Sequence, residues 1–141
     1  MISLESIEEL KEYIGKITGK SPWVNVSQNR INEFAKATED YQWIHLDEEK
    51  SKKGPFGSTI AHGFLTLSLA PWMSYNTYEV KNIAHSVNYG LDKVRFLSPV
   101  KAGSNLRGSF LYKSINCEYL TIPSNVCLSL SISTKGLVLL L

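Results

Sequence analysis

The sequence predicts an α+β fold in which an antiparallel sheet wraps around a buried central helix, and three observations predict it. The run 60–75 is apolar almost all round, and a helix of that kind is buried on every side. Beyond it the stretches 84–96, 104–116 and 126–133 are rich in β-favouring residues or alternate, with Pro99, Gly103, Pro123 and Gly136 between them. With 141 residues, 43% hydrophobic and 20% charged, the chain is expected to be a single domain over residues 1–141.

Leu4, Ile7, Leu10 and Ile14 recur at helical spacing, with Glu5, Glu8, Glu9 and Lys11 on the other face. Residues 3–14 are therefore expected to form a short amphipathic helix capped by Ser3. Gly15, Gly19 and Pro22 break the pattern. Trp23, Val24 and Val26 suggest a first strand, and Ser27 caps a second helix running through Ile31, Phe34, Ala35 and Ala37 to about Thr38. Residues 47–58 are charged and then glycine-rich, which predicts an overhanging loop. Inside the apolar run, Pro71 must kink or end the first part of the helix. Residues 137–141 are expected to form a last strand after a Ser-Thr-Lys-Gly turn. A sheet with one protected face and an edge strand needs covering, so pairing with a second copy is physically sensible.

The composition excludes several classes of partner. A net charge of +2 sets up no single-sign field, and Lys50, Lys52 and Lys53 are interleaved with Glu48 and Glu49, so no nucleic acid is expected. Cys117 and Cys127 lie ten residues apart without a Cys-x-x-Cys pattern, and they suggest buried small residues and no metal site. The N-terminal stretch is acidic where a secretory peptide is basic, and no run reaches membrane-spanning length. A cytoplasmic protein with no membrane partner is the expectation.

The chemistry is concentrated in residues 38–69. Asp40 and His45 stand five residues apart around a stretch too short and aromatic to continue the preceding helix. A tight excursion there would point a carboxylate and an imidazole at one water, and histidine is the side chain whose charge changes nearest neutral pH. A glycine-rich loop then leads to Gly63 at the expected helix start, where free amides favour negative charge. Lacking a Cβ, Gly63 lets a ligand approach its amide closely. His62 suggests a polar residue capping that helix. On spacing alone, an Asp and a His in a polar loop are more often a solvated acid beside a locally bonded ring than a catalytic pair.

The segment DYQWIHLDEEKSKKGPFGSTIAHGFLTLSL resembles the MaoC-like dehydratase family, the (R)-specific enoyl-CoA hydratases, and within it the nodulation protein N-like branch. The family pattern is Asp-x-Asn-Pro-aliphatic-His followed by an Ala/Val-His-Gly step. Asp40, His45 and Ala61-His62-Gly63 match it, and Gln42 and Trp43 replace Asn-Pro as they do in the nodulation-type branch. The likeness runs from about Trp23 to Asn105.

The resemblance implies the hotdog fold, a homodimer whose two sheets join, and a final strand interior to the sheet. It implies reversible addition of water to a trans-2-enoyl thioester, carried by CoA or acyl carrier protein, to give the (R)-3-hydroxyacyl thioester, with no metal or redox cofactor. Asp40 and His45 would be the catalytic pair. Gly63 would meet the charge on the thioester oxygen, Gln42 would bond the water or substrate, and Trp43 would narrow the pocket or pack under it. Tyr89, in SVNYGLDKVRF, would line the acyl tunnel, whereas Arg95 suggests a surface ion-pair partner. The competing classes are a hotdog acyl-CoA thioesterase and a non-catalytic acyl-binding module.

Overall fold

In the computed structural model the chain enters as a strand, β1 (Ile2–Leu4), and only then forms its first helix, α1 (Ile7–Lys11). The structure describes residues 1–83, 86, 88, 90, 91, 93–116, 125–134 and 137–140, with the backbone alone from 113 onward. The helix expected over 3–14 is therefore shorter, and its cap is Ser6, whose hydroxyl accepts from the Glu9 amide, and not Ser3. Helical spacing of Leu4 and Leu10 conceals the strand because its partner lies more than 70 residues away, beyond the reach of local periodicity.

Strand β2 (Ile17–Lys20) occupies the stretch where glycines suggested a break. Gly19 permits it, because a Cβ there would lie 2.7 Å from Thr77 Cγ2. Next come β3 (Val24–Val26) and α2 (Gln28–Thr38), the latter capped by Ser27 as expected, its hydroxyl accepting from the Arg30 amide. The helix ends on Glu39, held in the left-handed region at φ 59.

Two short helices follow, α3 (Trp43–Leu46) and α4 (Glu48–Lys52). The second corrects the loop expected over 47–58. Asp47 caps it by accepting from the Lys50 amide, its acids fall in the first turn and its lysines in the last, and Lys52 pairs with Glu49 at 2.6 Å. Runs of mixed charge conceal a helix whenever they contain no apolar residue to mark a period.

The long apolar run divides at Leu69 into α5 (Gly63–Ser68) and α6 (Ala70–Tyr75), with Pro71 in the first turn of the second helix, where its missing N–H costs nothing. Leu65, Thr66 and Met73 are buried, but Phe64 is 68% exposed and Tyr75 62%, so the expectation of burial on every side fails for the single chain. Strand β4 (Tyr78–Val80) then pairs in parallel with β1.

The remaining described elements are strands: β5 (Ser104–Asn116), β6 (Asn125–Thr134) and β7 (Leu137–Leu140). The order is β2-β5-β6-β7, antiparallel, and β3 also pairs with β5. Met73 and Phe110 are fully buried where α6 meets this sheet, and a Cβ on Gly108 would stand 3.2 Å from the Met73 sulfur. Val26, Ile31, Ala61, Leu65, Val100 and Leu106 complete the same core.

The strand expected over 84–96 falls in part outside the described residues, and none of the described ones in that range is in a strand. The final strand, expected to be interior, lies at the edge of the sheet among the described residues, since β7 follows β6 closely and pairs with the edge of it that β5 leaves free. Cys117 lies outside the described residues, and Cys127 is described by its backbone in β6. Among the described residues, no helix is long and apolar enough to cross a membrane.

Candidate active site

The left-handed turn at Glu39 stops α2 and delivers Asp40 into the short segment before α3. That helix, one turn long, carries His45 inward until the residue is only 6% exposed. Its ring is fixed at one edge, with Nδ1 at 2.7 Å from the Ile60 carbonyl. A carbonyl only accepts, so Nδ1 bears the proton and Nε2 keeps the lone pair that a general base requires.

The backbone around the ring is held from two sides. Ile60 N–H donates to the Ile44 carbonyl at 3.0 Å. Gln28 donates through Nε2 to the His45 carbonyl at 2.8 Å, while its Oε1 accepts from the Thr59 hydroxyl at 2.5 Å. One glutamine at the start of α2 thereby ties α3 to the segment that precedes α5.

His62 closes the cluster. It occupies the N-cap position of α5 as expected, but its side chain makes no capping bond. Its ring turns inward, 3% exposed, and stacks on His45 with centroids 3.7 Å apart and planes inclined by 26°. Its Nε2–H donates to the Asp40 carbonyl at 3.0 Å and stands 3.9 Å from Asp40 Oδ2. One carboxylate oxygen of Asp40 and one ring nitrogen from each histidine all lie within 4.8 Å of one another, and the Asp40 side chain is 42% exposed. Two hydrogen bonds of about 2.8 Å meeting at one water span about that distance.

The same three side chains have the composition of a metal site, but the stacking opposes that use. Nearly parallel rings send their in-plane lone pairs along nearly parallel lines, whereas two imidazoles binding one ion at about 2.0–2.1 Å must converge on it.

Burial lowers the pKa of His45 from its ordinary 6.5, the Ile60 carbonyl opposes that shift, His62 adds to it and the Asp40 charge opposes it. The net effect keeps the imidazole neutral. If His45 is the base, the acid limb of kcat/KM falls below pH 6.5. Folding stability follows the same group: the unfolded chain binds the proton more readily, so stability declines as pH falls from 6.5 towards the depressed folded value. A pH–rate profile beside a urea midpoint series checks both.

The other expected site residues are placed variously. Gly63 opens α5, where first-turn amides have no intrahelical acceptor, but the space of its missing Cβ is filled by the Phe96 ring, 2.6 Å from where that atom would be. Gln42 is exposed, and its backbone amide donates to Asp40 Oδ1 at 3.4 Å. Trp43 lies against Gly54, with Lys50 Nζ 4.6 Å from its ring centroid. Tyr89 falls outside the described residues. Arg95 forms no ion pair among the described residues; its guanidinium donates to the Val94 carbonyl at 3.2 Å. Sequence reasoning missed Gln28 and Phe96 altogether, since neither breaks the apolar period of its stretch.

The MaoC like domain model matches residues 9–118. The chain belongs to the MaoC-like family. This MaoC-like chain is 48% identical over 109 residues to 3-hydroxyacyl-thioester dehydratase Z of Mycobacterium tuberculosis (strain CDC 1551 / Oshkosh), covering 77% of this chain and 72% of that one. It is 47% identical over 116 residues to nodulation protein N of Rhizobium leguminosarum bv. viciae, covering 81% and 71%. Among solved structures, the monoamine oxidase regulatory protein from Archaeoglobus fulgius superposes with a TM-score of 0.77 at 25% identity, over 99% of this chain and 92% of that one. The fold of this MaoC-like domain is the hotdog fold of such neighbours.

Proposed function

We propose that this MaoC-like domain is an (R)-specific enoyl-thioester hydratase, reversibly hydrating trans-2-enoyl-CoA to (R)-3-hydroxyacyl-CoA. The observation that carries the reading is the convergence of an Asp40 oxygen and a His45 ring nitrogen to within 4.8 Å, with the His45 tautomer fixed by Ile60. The name of the mycobacterial relative, a 3-hydroxyacyl-thioester dehydratase, supports the same class of reaction.

In this route His45 Nε2 takes a proton from the water as its oxygen bonds to C3. The Asp40 carboxylate orients that water, receives the proton from the His45 imidazolium and delivers it to C2, so both groups end as they began. Charge gathers on the thioester oxygen in between, and the Gly63 amide at the start of α5 meets it. One water is added, neither side chain is consumed, and elimination is the same path reversed. The step is redox-neutral and needs no metal or redox cofactor. The acyl group arrives on CoA or on acyl carrier protein, Gln42 assists in holding water or substrate, and Trp43 and Tyr89 bound the acyl site.

We take residues 1–141 as one domain and the working form as a homodimer. The exposed side of the helix pair, with Phe64, Trp72 and Tyr75, supplies an apolar surface for a second copy. Purified protein mixed with crotonyl-CoA is expected to bleach the enoyl absorbance in the ultraviolet without releasing thiol. Release of free thiol would replace this reading with a thioesterase. Neither change across a range of chain lengths would leave an acyl-binding module.

A further inference from the structure

One buried imidazole is left over once the acid and the base have been assigned. We propose that His62 is a positioning residue: with a single ring it fixes both the plane of His45 and the backbone of Asp40. The inference rests on the hydratase reading of that pair.

The Nε2 edge and the face of the His62 ring have distinct tasks. Nε2–H donates to the Asp40 carbonyl at 3.0 Å, tying to the start of α5 a segment that is irregular between Glu39 and Trp43. The ring face covers His45 at 3.7 Å. An imidazole held only through Nδ1 can still pivot about that bond; a second ring against its face removes the freedom. Phe34 also packs against His62, at 5.1 Å and 51°, which limits the movement of that ring.

The choice of residue has a cost that discloses its use. His62 Nδ1 is buried and has no hydrogen-bond partner among the described residues. A phenylalanine would give the same stack without stranding a polar atom, and a glutamine would give the same donor without a ring. Histidine supplies both at once.

The charged surroundings of His45 are few. Asp40 acts on it from the segment before α3, and His62 from the start of α5. Gln28 from α2, and Thr59 and Ile60 from the segment before α5, are uncharged, and the charged residues of α4 are all exposed. Replacing His62 therefore removes the neighbour that adds to the depression of His45.

His62→Phe keeps the face and loses the donor, whereas His62→Gln keeps the donor and loses the face. Each is expected to lower kcat on crotonyl-CoA by about 10–100-fold with KM changed by less than about threefold, the cost of slightly misplaced groups. In both, the His45 titration, followed by imidazole ¹⁵N NMR without substrate, moves up towards the ordinary value. The NMR arm separates two failures: a wild-type protein that does not hydrate crotonyl-CoA sinks the hydratase reading, while the titration still tests His62. Lost turnover with an unmoved His45 titration in a folded variant is what mere packing would give, and overturns the proposal. Unchanged kcat in both variants overturns it too. Thermal unfolding identifies which variants are folded, and His62→Gln serves where His62→Phe is not.

Discussion

Asp40→Asn and His45→Asn each lower the hydration of crotonyl-CoA by about 10²–10⁴-fold, the range for losing a positioned acid or base. The substitutions are chosen so that structure survives. Asparagine at 40 retains an Oδ1 for the Gln42 amide and removes only charge from a side chain that is 42% exposed. Asparagine at 45 presents its Nδ2–H where the imidazole presented Nδ1–H, so the bond to Ile60 persists, and what disappears is the lone pair of Nε2. Neither group is assigned to hold the thioester, so KM stays within a few-fold while kcat falls. Because both act on one water, the double variant loses little more than the worse single one. Initial rates of enoyl bleaching check this. Either single variant keeping more than about a tenth of wild-type turnover contradicts a shared-water mechanism.

The parts of the fold legible in the sequence are those in which residue type and local spacing agree. Ser27 before Ile31 and Ala35 marks α2, and the alternation in 104–116 marks β5 to within its observed bounds. Pro71 places the break in the central helix because a missing N–H is a local fact. What stayed hidden depends on distant partners. β1 exists because Tyr78–Val80 offers it an edge, and β2 because β5 does. The charged helix α4 has no apolar side to betray it.

The site divides along the same line. Asp40 and His45 were identifiable from chemistry and spacing, and the structure brings them together through a left-handed residue at 39 that no pattern announces. His62 suggested a helix cap from its position, since the choice between capping and stacking is decided by what lies 17 residues upstream. Gln28 was illegible for the same reason: its three partners are Asn32, His45 and Thr59, of which only the first is a helical neighbour.

Gly63→Ala is expected to destabilise the fold by about 1–3 kcal/mol, the usual cost of forcing a methyl into filled space. A Cβ at 63 would stand 2.6, 2.7 and 2.9 Å from three carbons of the Phe96 ring, closer than real Cβ atoms come. Alanine's better helix propensity offsets at most about 1 kcal/mol, and less at a first helical position. The expectation from sequence was that this glycine admits a ligand to its amide; in the structure the space of the missing Cβ holds a ring, braced edge-on by Phe64 at 5.8 Å. The two roles separate in a double-mutant cycle with Phe96→Ala. In that background the stability cost of Gly63→Ala shrinks to within about 0.5 kcal/mol, as it must if the ring is what the methyl meets. Turnover does not recover with it: the methyl still crowds the amide assigned to the thioester oxygen, and kcat remains at least about tenfold low. Denaturant midpoints measure the first quantity and crotonyl-CoA kinetics the second. Recovery of both together would make Gly63 a packing glycine alone and move the stabilising donor elsewhere. A Gly63→Ala cost undiminished by Phe96→Ala would mean that the clash lies with other atoms.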